Sequence, residues 1–358
     1  MSRIENKLLL EKFGKSFEDI KDLKTSFFSE NNLHLTETLE SAAFYLQQPR
    51  RTKCKICDAS LGNTISFWKH QIPYVICPNC SHLNGCHEDT SDFCKSLYTS
   101  NDGGDYAKNY SSDDEAAYLN RRDAIYKPKA EFMIETLSRV GESATELSYL
   151  DVGAGAGYFI SALKSLDIES VVGYEVGLAQ VEIAEQMLGS DVITKIDLDD
   201  TARLVREASA DVISFIGVFE HLQNLREILR GIKHNRKVRY FYFCVPLFSS
   251  CIFNEMAFPN VMPRQLAKGH THLFTKKSID HFFTEFGFEA ISAWWFGTDI
   301  MDYYRSIFVS LHENTETEKM ADIWLTNFHE LVDDLQLVID KNRESSQVHI
   351  FAKCSDND

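Results

Sequence analysis

The sequence predicts an α/β protein built on a doubly wound, mostly parallel sheet. The first observation is the stretch Tyr149-Leu-Asp-Val-Gly-Ala-Gly-Ala-Gly-Tyr158. Its apolar run, 147–152, delivers Gly153, Gly155 and Gly157 straight into a helical pattern of Phe159, Ile160, Leu163 and Leu166. Strand, glycine turn and helix bring bare backbone N–H groups against a nucleotide-like ligand. The second observation is an alternation downstream of the glycines. Further short apolar runs at 170–175, 191–196, 210–216 and 238–245 alternate with helical spacings, and Pro246 closes the last of them, because proline cannot continue a ladder.

The glycine spacing narrows the ligand. A dinucleotide turn prefers G-x-G-x-x-G. Here the pattern is D-x-G-x-G-x-G, with Asp151 two residues ahead of Gly153, which suits a cationic ligand with an amino-acid tail better than a pyrophosphate. Glu175 ends the next strand about 20 residues beyond the glycines, where nucleotide-binding folds place an acid for the ribose hydroxyls. The run at 191–196 leads into Asp197, followed closely by Asp199 and Asp200, and the run at 210–216 leads into Gly217-Val-Phe-Glu-His-Leu222.

On these residues the chain resembles the class I S-adenosylmethionine (SAM)-dependent methyltransferases, whose first motif reads this way and whose fourth strand commonly ends in a Glu-His-Leu-like tripeptide beside the cofactor. The resemblance implies SAM as cofactor, with Asp151, Gly153, Gly155, Gly157 and Glu175 around it and Phe219 alongside. It also implies an acid at the adenine amino group, for which Asp197, Asp199 and Asp200 compete. His221 is open to two readings: it orients substrate or acts as a base, or it pins its loop through backbone carbonyls.

Composition bounds the rest. At 358 residues and 44% apolar content, the chain can hold one large α/β domain with smaller modules. No apolar run reaches the roughly 18 residues that span a bilayer, and Leu8 to Leu10 is too short for a secretory signal, so no membrane role and a cytoplasmic location are expected. A formal net charge of −16 argues against nucleic acid as the main partner. Nine cysteines without a signal peptide fit reduced thiols and a metal better than disulfides.

Four of those cysteines form the knuckles Cys54-Lys-Ile-Cys57 and Cys77-Pro-Asn-Cys80, with 19 residues between them. Two C-x-x-C turns at that spacing can close a tetrahedral site, and four thiolates leave no open position, so a structural Zn2+ is expected. Ahead of it, Leu8, Leu9, Phe13, Phe17, Ile20, Leu23, Phe27 and Phe28 show helical spacing, expected as an N-terminal helical cap. After it comes a segment with Tyr98, Tyr106, Tyr110, Tyr118 and Tyr126. In the resembled enzymes this segment folds over the cofactor as a lid. Tyr106 is expected at the sulfonium, Tyr110 at substrate, and Arg121 or Arg122 at the cofactor carboxylate.

Residues 248–266 have little periodicity and are expected to be a loop over the substrate side. Lys268-Gly-His-Thr-His-Leu-Phe-Thr275 then presents His270 and His272 ahead of a helix whose start Thr275 or Ser278 caps. Residues 289–296 give a sixth strand, 299–342 an added helical pair, and 347–353 a last strand, which the resembled fold lays antiparallel. That makes a seven-stranded sheet. The expected domains are the cap at 1–50, the zinc module at 51–95, the tyrosine lid and linker helix at 96–140, and the SAM domain at 141–358.

A paired C-x-x-C module, a tyrosine lid, a SAM domain and a histidine loop together resemble the sugar methyltransferases, including those that C-methylate nucleotide-linked keto-sugars and others of surface-polysaccharide synthesis. Their loop motif often reads His-Glu-His, with the second histidine as base. Aligned on Phe274, His270 takes that place, while Gly269 replaces the acid. The expectation is methyl transfer to a small sugar-type acceptor, with His270 as base and His221, His272 and Tyr110 positioning substrate. The alternatives are an RNA or protein methyltransferase docked through the zinc module, or a scaffold without activity. Against the last, Asp151, the glycines and Glu175 are all intact.

Overall fold

The structure, a computed structural model, describes residues 8–17, 26–62, 64–100 and 114–354. Its main sheet contains β1 (Leu10–Phe13), β5 (Tyr149–Val152), β6 (Val171–Glu175), β7 (Ile193–Lys195), β8 (Val212–Ile216), β9 (Tyr240–Pro246), β11 (Glu289–Trp295) and β12 (Gln347–Lys353). Their spatial order is β1-β11-β12-β9-β8-β5-β6-β7. β12 runs antiparallel to both β9 and β11, and the other pairings are parallel. A smaller sheet takes β2 (Phe67–Lys69), β3 (Ile72–Ile76), β4 (Leu83–Gly85) and β10 (His272–Leu273).

The expected seven strands become eight among the described residues. The extra one is β1, drawn from a segment whose spacing reads as helix. Leu10 pairs with Ser292 and Phe13 with Trp295. The edge of β11 offers unpaired backbone groups there, and filling that edge overrides a weak local helical pattern. The helical reading does hold for Asn31–Tyr45, and 299–342 folds as three main helices, Asp299–His312, Glu318–Phe328 and Val332–Lys341, rather than a pair.

Both faces of the main sheet are covered, so its central strands are largely apolar, with Asp151 of β5 and Ser214 of β8 as a buried polar pair. Along β9, Phe241, Phe243 and Val245 enter one core cluster with Phe215, Phe283 and Trp295. Tyr240 and Tyr242 enter the opposite one with Ile160, Phe132 and Trp294. The helix after β10, Lys276–Phe286, starts at Thr275, whose side chain accepts from Ser278 N–H while the Ser278 hydroxyl bonds back to Thr275 N–H, a reciprocal cap.

Two features of this architecture position the site. β5 pairs with β6 on one side and β8 on the other, so the strand order reverses there, and ligands of open α/β sheets bind outside the carboxyl ends of strands at such a switch point. The small sheet, in turn, is not closed by residues 51–95 alone. Its fourth strand, β10, comes from the histidine loop, with His272 opposite Asn84 and Leu273 opposite Leu83. Among the described residues no helix is long and apolar enough to cross a membrane.

Candidate active site

A cavity of about 890 Å³ opens at the switch point. One side of it is built by the turn after β5. Gly155 sits at φ +55°, and a Cβ there would come 2.6 Å from Gln180 Oε1. Gly157 caps the helix Tyr158–Lys164 at φ +78°, where a Cβ would come 2.5 Å from Leu188. Neither position can take a side chain without displacing a neighbour.

Asp151, Gly153, Gly155 and Glu175 all line the cavity, while Gly157 lies behind it and seats the helix. Glu175 braces the turn: one oxygen accepts from Gly155 N–H at 2.8 Å, the other from Val176 and Gly177 N–H at 2.7 and 2.8 Å. Burial raises its carboxyl above the ordinary range against those three bonds. Asp151 responds to burial as well, pushed up to about 7 by desolvation although Ser214 donates to it at 2.5 Å.

The lid residues that are described meet this turn. The Tyr118 ring stacks on Tyr158 at 4.3 Å, and its hydroxyl donates to Ala156 O at 3.0 Å. Tyr126 stacks on the same ring at 5.2 Å. Arg121 lines the cavity beside them, whereas Arg122 turns to Asp123 at 2.9 Å, so Arg121 is the one placed to reach a carboxylate. Arg121 ends an α-helix and Arg122 opens the π-helical turn Arg122–Tyr126. Tyr106 and Tyr110 lie outside the described residues.

Three expected site residues stand away from the cavity. Asp197 caps its own turn, accepting from Asp199 N–H at 3.0 Å, and faces Lys95 at 3.5 Å. The apolar neighbours Ile196 and Leu198 line the cavity instead. Phe219 is fully buried against Phe215 and Phe243, with ring centroids 4.5 and 4.9 Å away. His272 belongs to β10, and its register in the small sheet turns it to His82, whose Nε2 lies 2.9 Å from His272 Nδ1.

The cavity also carries His221 and His270, with ring centroids 4.9 Å apart. His270 Nδ1–H donates to Gln265 O at 3.0 Å, leaving Nε2 with its lone pair. His221 Nδ1 lies 2.7 Å from Tyr98 Oη. Burial lowers both imidazoles, His221 well below the ordinary histidine value and further so beside His270. Both are therefore neutral near pH 7.

Tyr98 and Glu220 also line the cavity; the sequence offers them only as members of the tyrosine-rich segment and of the Glu-His-Leu tripeptide, with no role of their own. Tyr98 is one tyrosine among five, and only its contact with His221 distinguishes it. Its hydroxyl occupies the space a Cβ at Gly269 would need, so the loop has no room for the acid that Gly269 replaces. Glu220 supplies a carboxylate from the other side. It is buried, lines the cavity, and is pushed up to about 8 by desolvation.

The loop that carries His270 is tied down from two directions. Glu255 accepts from the backbone N–H of Arg264 and Gln265, both at 2.6 Å, and pairs with Lys69 of β2 at 3.0 Å. Lys69 also donates to Leu266 O at 2.8 Å. Thr271 O accepts from Gly85 N–H at 2.9 Å.

The four thiols of the knuckles converge as their spacing predicts, all within 4.8 Å of one another. Cys54 and Cys80 sulfurs are 3.6 Å apart, and those of Cys57 and Cys77 are 3.5 Å apart. A tetrahedral Zn2+ with bonds of about 2.3 Å requires sulfurs about 3.8 Å apart, so the cluster fits the ion with little adjustment.

Residues 121–293 match a family model described as a methyltransferase domain. The matched residues identify a methyltransferase domain. The match spans the glycine turn, Glu175, His221 and His270, so most of the cavity's sheet side lies within it. No protein of curated function matches the sequence. Among solved structures, the chain is similar to the magnesium protoporphyrin IX methyltransferase from Synechocystis PCC 6803 with bound SAH, at 13% identity and TM-score 0.43, covering 74% of this chain and 100% of that one. It is also similar to a SAM-dependent methyltransferase from Archaeoglobus fulgidus, at 17% identity and TM-score 0.37, covering 66% and 99%. A plantazolicin methyltransferase in complex with a substrate analogue and SAH gives 12% identity and TM-score 0.45, covering 74% and 95%. Likenesses this distant carry no argument about the acceptor of the methyltransferase domain.

Proposed function

We propose that the protein methylates a small carbohydrate-type acceptor, a nucleotide-linked sugar or a polysaccharide precursor, with a histidine taking the acceptor's proton. The observation that carries this reading is the pair His221 and His270, which face the glycine turn across one cavity. Methyl transfer is an in-line displacement in which SAM supplies methyl group and leaving group together, so the protein's task is to align the nucleophile and deprotonate it. With Nδ1 bonded to Gln265 O, His270 Nε2 is the available base for a hydroxyl, or for a carbon acidified by a ketone. The same cavity also carries polar side chains, among them His34, Glu37, Arg264, Lys268 and Asp333, which suits an acceptor that has hydroxyls.

In this reading Cys54, Cys57, Cys77 and Cys80 hold a structural Zn2+ that folds the module, and the module's role is to steady the histidine loop through β10 and Lys69. Asp151, Gly153, Gly155 and Glu175 hold SAM, with Arg121 at its carboxylate. The test is calorimetric titration with SAM and its demethylated product, followed by labelled SAM with a panel of nucleotide-sugars. Transfer to a sugar that disappears in His270→Ala, with SAM binding intact, would support the reading. SAM binding with transfer only to RNA or peptide would sink it.

A further inference from the structure

Glu220, His221 and His270 can each offer one ligand atom such that all three atoms lie within 4.8 Å of one another. We infer that these three residues form a binding site for a first-row divalent cation on the acceptor side of the cavity. Two imidazoles and one carboxylate are a nitrogen–oxygen donor set suited to zinc, iron, cobalt or manganese, and quite unlike the four thiolates of the knuckles. Glu220 and His221 are adjacent on the single turn Phe219–His221, and His270 arrives from the loop before β10, so only the tertiary fold assembles the set.

The state of Glu220 gives an independent reason. Its side chain is 4% exposed, and its Oε2 has no hydrogen-bond partner among the described residues. An uncompensated buried carboxylate is costly, and a bound cation is one of the few arrangements that satisfies it. The histidines are also held as metal ligands are. A ligating imidazole is normally oriented by a bond from its other ring nitrogen. Here Gln265 O holds His270 Nδ1 and Tyr98 Oη meets His221 Nδ1, which leaves Nε2 of each ring open to a ligand.

All three residues line the cavity, so three protein ligands would leave coordination positions facing the acceptor. Two neighbouring oxygens of a sugar could fill them, and a coordinated hydroxyl loses its proton more readily. This inference rests on the methyl-transfer reading and changes one step in it. His270 becomes a ligand, and the cation rather than the imidazole acidifies the acceptor.

The test uses full-length, zinc-loaded protein titrated with Co2+ in the absence of thiolate exchange, monitored by visible absorption, with Mn2+ binding followed in parallel by the loss of the free-ion resonance. One equivalent bound beyond the zinc is expected, with the weak d–d bands of nitrogen–oxygen ligation and no thiolate charge-transfer band. Glu220→Gln should abolish it. Tyr98→Phe, which leaves all three ligands in place, should weaken it by about tenfold, as loss of an orienting bond does. Wild-type protein that binds neither ion while still binding SAM would overturn the cation site and leave the methyl-transfer reading standing. Cobalt binding without SAM binding would do the reverse. Binding unchanged in Glu220→Gln would place the ion elsewhere and overturn the assignment.

Discussion

His82 Nε2 lies 2.9 Å from His272 Nδ1, joining the residue between the second cysteine knuckle and β4 to the strand just after His270. His82 Nδ1 reaches the Ser278 hydroxyl at 3.3 Å, which also caps the next helix. The segment after the cysteine knuckles and the strand that follows the His270 loop are thus tied together, although the two histidines lie 190 residues apart in the chain.

Metal removal should therefore be felt in the active site. Stripping the four-cysteine site with a chelator is expected to raise amide hydrogen exchange across residues 264–275 and abolish turnover, while SAM affinity changes by less than about threefold, or ~0.7 kcal/mol. Exchange measured by mass spectrometry, beside calorimetry with SAM, separates the two effects. Unchanged exchange in that loop would refute the coupling.

Gly155→Arg should leave a folded protein that no longer binds SAM. The side chain would have to enter at φ +55° against Gln180, in the space the ligand needs. A loss of at least about 100-fold, ~2.7 kcal/mol, is expected by titration, with the urea midpoint lowered in keeping with the roughly 1–2 kcal/mol that a non-glycine residue costs at this left-handed position.

Lys69→Met should destabilise far more than a surface change. It removes the partner of Glu255 from a pair whose side chains are 4% and 5% exposed, and stranding one member of a buried ion pair costs about 3–5 kcal/mol. Urea denaturation gives the number. The double variant Lys69→Met/Glu255→Gln should recover part of it, because the stranded charge is gone.

Asp151 sets a pH dependence. Its carboxyl, ordinarily at 3.8, is pushed up to about 7 by burial, so the folded protein holds this proton where the unfolded chain has released it. The stability this contributes is fully present below the unfolded value and is lost as pH rises from about 4 through about 7. Thermal melts of cofactor-free protein should fall along that window, and Asp151→Asn should flatten the fall. An equal slope in both proteins would show that other groups carry it.

Much of the fold is legible in order along the chain. The run ending at Val152, the glycines, Glu175 and Pro246 mark a parallel sheet because each is a local signal: periodicity, a turn only glycine permits, a residue that stops a ladder. The C-x-x-C pairs are local in the same sense, since each knuckle supplies two thiols from one turn. Leu10–Phe13 reads as helix because its spacing is ambiguous over so few residues, and the free edge of β11 makes it a strand. His270 and His272 look alike in sequence, two residues apart, yet the register of β10 sends His272 to His82 and leaves His270 in the cavity.

The sequence by itself determined the α/β class, the glycine turn for the cofactor, and the four-cysteine cluster, because short-range patterning and fixed spacing suffice for them. Only the tertiary structure decided which histidines line the cavity, that Asp197 and Phe219 do not, and that Tyr98, Glu220, His221 and His270 meet. Those residues come from three separate segments, and their proximity depends on strand order and on which sheet captures the loop, neither of which leaves a trace in any single stretch of chain.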